Sequence, residues 1–335
     1  MNNQGRTLVI VNNRAARARR AWPLIEHALS QNHLSFDTHV TRHAGDATTK
    51  TREALREGYG VIAVVGGDGT LSEAAAGFFE LGEPVEGGGG DPLLEPVPVN
   101  PDAALAILPA GTGDDFARGL TSGRRESLSK WIEALVRYHQ DGERGAARTV
   151  DCIAGRAEGG AGRFICLNVA TIGLGAEVAH RVAAQTGLMQ RLPGEARFVA
   201  AACRALALWR ERRVRILVEG SAEVECASNL IAIANGIYAG GGMMFAPSAR
   251  VDDGILDILI ACGLTRATIL RELPRIRRGG HLANPHVRTR RAAHVRIETL
   301  TPADALPVEA DGNVRGHTPA EFRILPRAIR VVQEQ

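Results

Sequence analysis

Aromatic residues are scarce in this 335-residue chain, at 4% of positions. That argues against a binder of single-stranded nucleic acid, which stacks bases on exposed rings. Cysteine is sparse too. Cys152, Cys166, Cys203, Cys226 and Cys262 are five in number, widely spaced, with no Cys-x-x-Cys pair. This arrangement predicts neither a zinc site nor a disulfide framework, and it fits a reducing, cytoplasmic location. No apolar run approaches the ~20 residues that span a bilayer, and the N-terminus enters a strand-like LVIV without a signal-peptide stretch. His39 and His43 stand four apart but lack the glutamate of a zinc protease helix, and Ser72 and Ser248 lack a nearby His–Asp arrangement. Zinc proteolysis and serine hydrolysis therefore have no support.

What is present points elsewhere. The length suits two domains with sizeable cores. Glycine is abundant at 38 residues, which provides for many tight turns around an Ala/Val/Leu/Ile core. The net charge of +3 names no partner, but the positive charge is nearly all arginine, clustered in 14–20, 204–215 and 266–291. Arginine pairs bidentately with phosphate, so nucleotide phosphates or anionic lipid headgroups suit these clusters, as do solvated helix faces.

Thr7–Val11 reads as a buried strand, Ala21–Gln31 as a helix, Ser35–Thr41 as a strand, Asp46–Glu57 as a helix, and Gly60–Val65 as a third strand. A helix over Leu71–Glu80 follows, then a strand at Leu105–Leu108 and a helix over Ser127–Asp141. This alternation predicts a three-layer α/β domain over residues 1–145, with a parallel sheet. The Gly/Pro-rich stretch 82–102 interrupts it as an exposed insertion. Residues 146–335 change character. Short alternating runs predict an antiparallel β-sandwich with one helical interruption at Gly194–Glu211, and the last strands are candidates to return to the first domain. Arg181–Arg215 and Arg266–Arg278 mix arginine with apolar residues at helical spacing, which fits either an anionic membrane surface or a packed helix with its arginines in water.

Two strand ends carry glycine turns. VVGGDGTLSEAAAGF places Gly66, Gly67 and Gly69 between a buried strand and a helix, where backbone N–H groups can approach phosphate. It is neither a Walker A loop nor a dinucleotide fingerprint. Asp68 can hold Mg²⁺ or orient a hydroxyl, and a plain turn capped by Asp68 and Thr70 is the structural alternative. ILPAGTGDDFARGL repeats the device at the next strand. Two such strand ends side by side outline a phosphate and metal site.

Together these motifs resemble the paired GGDGT-x-x-E and LP-x-GT-x-NDFAR motifs of the diacylglycerol-kinase catalytic-domain superfamily, and are most similar to bacterial YegS-like lipid kinases. The resemblance extends over the chain. It takes in Asn12 at the end of the first strand, Thr41 with Gly45-Asp46-Ala47, the segment Ala239–Ile260, and the tail EADGNVRGHTPAEFRILPRAIRVV. It implies an ATP- and Mg²⁺-dependent phosphotransferase that moves the γ-phosphoryl group to a lipid hydroxyl, with diacylglycerol or phosphatidylglycerol as leading acceptors. By the same resemblance, ATP contacts Asn12, Arg17, Thr41, Gly66, Gly67, Asp68, Gly69, Thr70, Leu71, Ser72, Glu73, Gly111, Thr112, Asp115, Arg118 and Asp151. A structural Mg²⁺ is implied at Arg250, Asp253 and Ile255, two backbone oxygens and a carboxylate. The partners implied are a lipid at a membrane surface touched peripherally from the cytoplasm, no nucleic acid, and a homodimer as an open alternative.

The chain departs from that family at two places. The family's Asp-Gly-Glu, whose glutamate is the general base, is Asp311-Gly312-Asn313 here, and an amide takes no proton at neutral pH. Either Asp311, alone or with Asp68, is then the base, or the transfer needs little base help because its loose transition state rests on positioning and metal electrostatics. Asn313 marks the vacated position. The family's Asn-Asp pair is Asp114-Asp115, which adds a carboxylate. The alternatives left open are a weakly active or non-catalytic nucleotide and lipid sensor, and a kinase for a soluble hydroxyl, since NAD kinases and phosphofructokinases have a similar GGDGT turn.

Overall fold

A computed structural model describes residues 6–82, 96–141, 147–160, 162–185, 194–221 and 223–333. Most of the expected insertion at 82–102 lies outside them. The chain divides into two compact units, the first comprising Met1–Cys152, Val251–Asp253 and Leu325–Gln335, the second Ile153–Arg250 and Gly254–Ile324.

The first unit runs β1 (Thr7–Val11), α1 (Ala16–Gln31), β2 (Phe36–Val40), α2 (Asp46–Arg56), β3 (Val61–Gly66), α3 (Asp68–Ala76), the short pair β4 (Phe79–Glu80) and β5 (Val97–Pro98), β6 (Ala104–Pro109), α4 (Asp115–Leu120) and α5 (Leu128–Asp141). Its strands lie parallel in the order β2–β1–β3–β6. β1 and β3 are buried along their whole length, as the near-continuous apolar runs of a sheet covered on both faces require. α1 packs with α5 and α2 with α3, each pair also touching the sheet. Beyond β6 the sheet gains a strand from the far end of the chain, where Arg330–Val332 pairs in parallel with Ala104–Ala106.

Two boundaries differ from expectation. α1 starts five residues early, at Ala16, so part of the first arginine cluster is its opening turn. α3 starts at Asp68, so the expected turn Gly66–Thr70 shrinks to a strand end, one extended residue at Gly67, and a helix N-terminus.

β7 (Ala147–Glu158) leads into the second unit, followed by β8 (Arg163–Cys166), β9 (Val169–Gly173), α6 (Leu174–Ala183), α7 (Gly194–Leu208), β10 (Arg212–Val218), β11 (Val224–Ala234), β12 (Tyr238–Ala239), β13 (Met243–Met244), β14 (Leu256–Cys262), α8 (Arg266–Ile276), β15 (Val287–Ala292), β16 (His294–Thr299), β17 (Pro307–Ala310) and β18 (Asn313–Val332). Pairing here is antiparallel. It runs from β11 through β10, β16, β18, β17 and β9 and returns to β11, which closes a circuit. Inside lies a core that includes Phe164, Trp209, Ile216, Ile231, Ile258, Val308 and Phe322.

Three helices interrupt the strands, not one, because α6 and α8 join α7. The single strand expected over Arg163–Ala170 splits into β8 and β9, while two expected strands at the tail fuse into β18. The expectation of five unpaired cysteines is corrected. Cys226 on β11 and Cys262 on β14 form a disulfide, while Cys152, Cys166 and Cys203 are not disulfide-bonded. Their separation of 36 residues hid a pairing that the strand register makes.

Candidate functional site

The two glycine turns of the first unit meet. β3 and β6 are neighbours, and Ala110 N donates to Gly66 O at 2.9 Å, so the turns leave adjacent strand ends together. A Cβ on Gly111 would fall 2.5 Å from Gly67 Cα, and one on Gly67 would fall 3.0 Å from Gly111 Cα. Only glycine permits this approach. No side chain caps α3 at Gly67, so its N-terminus presents backbone N–H groups and the positive end of the helix dipole.

Several side chains brace this cradle. Asn12 Nδ2 donates to Thr70 Oγ1 at 2.8 Å, and Asn12 Oδ1 accepts from Arg14 N at 3.1 Å, tying the end of β1 to the first turn of α3. Arg17 Nη1 donates to Gly111 O at 2.8 Å. Arg125, which the sequence reading missed, donates from Nη2 to Thr112 O and Gly113 O at 3.1 and 3.2 Å. Arg118, expected beside the phosphates, instead turns its Nε to Gly123 O at 3.2 Å. Thr41 follows β2 and donates from its backbone N to Val11 O. Asp46 behind it is buried and accepts from Arg42, which holds its carboxyl well below the usual carboxylate range. Leu71 and Ser72 are buried in α3, Gly69 meets nothing that would obstruct a ligand, and Glu73 O accepts from Thr48 Oγ1.

Asp68, Asp114 and Asp115 lie around this cradle. Asp68 Oδ1 accepts from Phe116 N at 3.1 Å. A Cβ on Gly113 would lie 3.1 Å from Asp68 Oδ2 and 3.2 Å from Asp115 Oδ2, so both carboxylates flank that glycine. Asp114, at φ 50°, accepts from Gly111 N at 2.8 Å, and burial, with the charge of Asp68, pushes its carboxyl up to about 6. Close carboxylates are stable beside a cation or a proton. A glycine cradle at a helix N-terminus with carboxylates on its rim fits a Mg²⁺-nucleotide in the chemistry of its donors.

Asp151, also expected at the nucleotide, lies beside the returning strand β18. It is fully buried, and its Oδ1 accepts from Arg327 N at 2.6 Å, fixing a residue at φ 49°. At the other expected site, Arg250 and Ile255 flank the turn Val251–Gly254, where Asp252 pairs with Arg148 at 2.8 Å and Gly254 sits at φ 70°. Among the described residues no three His, Cys, Asp or Glu side chains gather to hold a metal. A cation here would rest on the Arg250 and Ile255 carbonyls and the Asp253 carboxylate, hard oxygen donors that suit Mg²⁺.

In the second unit the Asp311-Gly312-Asn313 turn joins β17 to β18. Asp311, at φ 49°, accepts from Leu167 N at 2.6 Å on Oδ2 and from Asn168 N and Val169 N at 3.0 and 3.1 Å on Oδ1. A carboxylate so engaged ties β9 to the turn. Asn313 Nδ2 donates back to Asp311 O at 3.4 Å.

Glu309, absent from the sequence-based site, is the other carboxylate there. β18 carries one extra residue opposite the step from Val308 to Glu309, and this bulge turns Glu309 inward beside buried Val308 and Ala310. Thr171 Oγ1 donates to Glu309 Oε2 at 2.6 Å, and Gly312 N donates to Oε1. Gly175 of α6 closes over the pair, since a Cβ there would fall 2.8 Å from Thr171 Oγ1. Burial pushes Glu309 up to about 7. Its partner Thr171 lies 138 residues away in sequence, so no local signal could have found it.

Comparison with known proteins finds a family match for each half of the chain. Residues 6–143 match the family described as Diacylglycerol kinase catalytic domain, and residues 168–333 match YegS C-terminal NAD kinase beta sandwich-like domain. A YegS-like lipid kinase of Xanthomonas axonopodis pv. citri is 30% identical over 90% of this chain and 88% of its own. The diacylglycerol kinase of Bacillus subtilis is 26% identical over 88% of this chain and 84% of its own. A crystal structure of a diacylglycerol kinase from Bacillus anthracis superposes with a TM-score of 0.66 at 22% identity, covering 98% of this chain and 97% of that one, which is a likeness of fold. Among the described residues no helix is long and apolar enough to cross a membrane.

Proposed function

We propose, starting from the fact that this chain belongs to the diacylglycerol kinase family and its YegS-like lipid kinases, that it transfers the γ-phosphoryl group of ATP to the hydroxyl of a diacylglycerol or phosphatidylglycerol. As a member of that family it is a phosphotransferase with an alcohol acceptor. The observation that carries the finer reading is the contact of the Gly67 and Gly111 turns at the N-terminus of α3, with Asp68 and Asp115 on either side of Gly113. Backbone N–H groups there bind the phosphates, and Arg17 and Arg125 hold the second turn in place through its carbonyls. Mg²⁺, when bound, neutralises the charge of the transferring phosphoryl group. Asp68 and Asp115 are the residues that would order it at the cradle, and Arg250, Asp253 and Ile255 would hold a structural ion.

In the transfer, the lipid O–H bond breaks as its oxygen bonds to the γ-phosphorus, the bond to the ADP oxygen breaks, and the proton passes to the protein. Asn313 has no atom to accept it. Asp311 is committed to three amides. Asp68 at the cradle and Glu309, whose carboxyl burial pushes up to about 7, are the carboxylates proposed to receive it. The protein acts from the cytoplasm on lipid in a membrane surface.

Transfer of labelled γ-phosphate from Mg²⁺-ATP to a lipid panel in mixed micelles tests this, with wild type beside Asp68→Ala. A labelled lipid that is lost in the variant is expected, and it names the acceptor. ATP binding without any labelled lipid would overturn the reading. It would favour the non-catalytic sensor that Asn313 otherwise suggests, and label in a soluble hydroxyl alone would make the acceptor water-soluble.

A further inference from the structure

We propose that the outer face of α8 and the adjoining edge strand β15 form a docking surface for anionic lipid, an inference that rests on the lipid-kinase reading above. Between Gly263 and Ala292 the chain has eight arginines and one acidic residue, Glu272. Glu272 is buried and accepts from Arg275 Nη1 and Asn284 Nδ2, each at 3.0 Å, so it adds no negative charge to the surface. Arg271, Arg277, Arg278 and Arg288 are exposed, and their side chains make no hydrogen bond or ion pair among the described residues. Unpaired cations are ordinary one at a time. Here they surround exposed apolar side chains.

Leu270 and Leu273 are 52% and 42% exposed, and Leu282, in the turn packed beside α8, is 39% exposed. Leu270, Leu273 and Arg277 lie at i, i+3 and i+7 and share one stripe of the helix. Ile269 and Ile276 of the same helix are the residues that pack into the core, with Phe245 and Leu259. The helix has therefore met its packing needs on its inner face, and its outer leucines gain nothing from the rest of the unit. β15 continues the surface with Arg288 and Arg290 exposed. It is the outermost strand of its sheet, paired only on its β14 side.

Apolar side chains set among arginines with no exposed acid match a leaflet of anionic headgroups. Leucines enter the acyl boundary while guanidinium groups stay at phosphate level. The same positive charge opposes pairing with a second copy of this face. Gly263 to Ala292 includes no Phe, Tyr or Trp, so the surface lacks the large rings on which nucleic-acid bases stack.

Flotation of the full chain with phosphatidylcholine vesicles, with and without phosphatidylglycerol, tests the surface. Binding that requires phosphatidylglycerol and weakens with salt is expected. Arg271→Gln with Arg277→Gln should reduce the affinity on the order of tenfold, while removal of the same charge at the exposed Arg19 and Arg20 of α1 leaves it unchanged. In a Leu273→Trp variant, emission should shift to the blue on anionic vesicles, which reads insertion of the helix face directly. Equal loss from both charge pairs, no binding by wild type, or arginine-dependent capture of a polynucleotide in place of vesicles would overturn the proposal. Docking without lipid phosphorylation would leave this surface standing and sink the kinase reading instead.

Discussion

Glu309 folds with a proton that its unfolded form gives up. Its carboxyl rises from 4.5 to about 7 on folding, through burial above all, opposed by the Thr171 and Gly312 bonds. The contribution to stability is therefore fully present below pH 4.5 and is lost as pH rises through 7. A shift of this size is worth on the order of 3 kcal/mol. Wild type should accordingly lose stability between pH 5 and 8 in urea titrations, and Glu309→Gln, which keeps an acceptor for Gly312, should flatten that loss. Activity should move the opposite way, because the ionised form takes the proton. The wild-type rate should rise with pH through about 7. Glu309→Gln should lose roughly a hundredfold in kcat together with that rise. A variant with wild-type kcat and an unchanged profile would remove Glu309 from proton transfer.

At the scale of elements, the cradle depends on two backbones touching. Gly111→Ala places a methyl 2.5 Å from Gly67 Cα, a backbone atom that no rotamer change can move, and 2.6 Å from Asp114 Oδ1. The turns must separate, which should cost about 1–3 kcal/mol of stability and weaken ATP binding more than tenfold by calorimetry. Gly69→Ala meets nothing within 4 Å and should cost much less. Binding by Gly111→Ala equal to wild type would mean that the phosphates do not use this contact. This cradle was legible in the sequence because β3 and β6 are apolar runs that end in glycine, and parallel strands place such ends side by side. Elements whose pattern is set by distant partners were not. The exposed VRTRRA of β15 reads as a loop, since an edge strand with polar faces has no alternation to show. β18 reads as two strands because Pro326 interrupts it, although the chain stays extended from Asn313 to Val332. Glu309 escaped for the same reason. Its meaning lies in a bulge and in a threonine on another strand.

At the scale of the molecule, the chain leaves its first unit at Cys152, re-enters it briefly at Val251–Asp253, and returns at Leu325. The return is structural. Ile329, Val331 and Val332 are buried at 2%, 0% and 2% exposure, and Arg330–Val332 completes the parallel sheet beside β6. Burying one isoleucine and two valines stabilises by on the order of 5 kcal/mol, a large part of the roughly 5–15 kcal/mol that holds a domain together. Removing the segment also strips Asp151, at 0% exposure, of the Arg327 N–H it accepts, leaving a buried carboxylate short of a partner. A chain ending at Ile324 should therefore lose the first unit, although that unit's nucleotide motifs lie far upstream. Expressed alone, it should show no cooperative thermal transition for that unit and no ATP binding, while the closed β circuit of the second unit, complete by Ile324, should keep its protection in hydrogen exchange. The truncated chain binding ATP as wild type does would show that residues up to Cys152 fold without the returning strand.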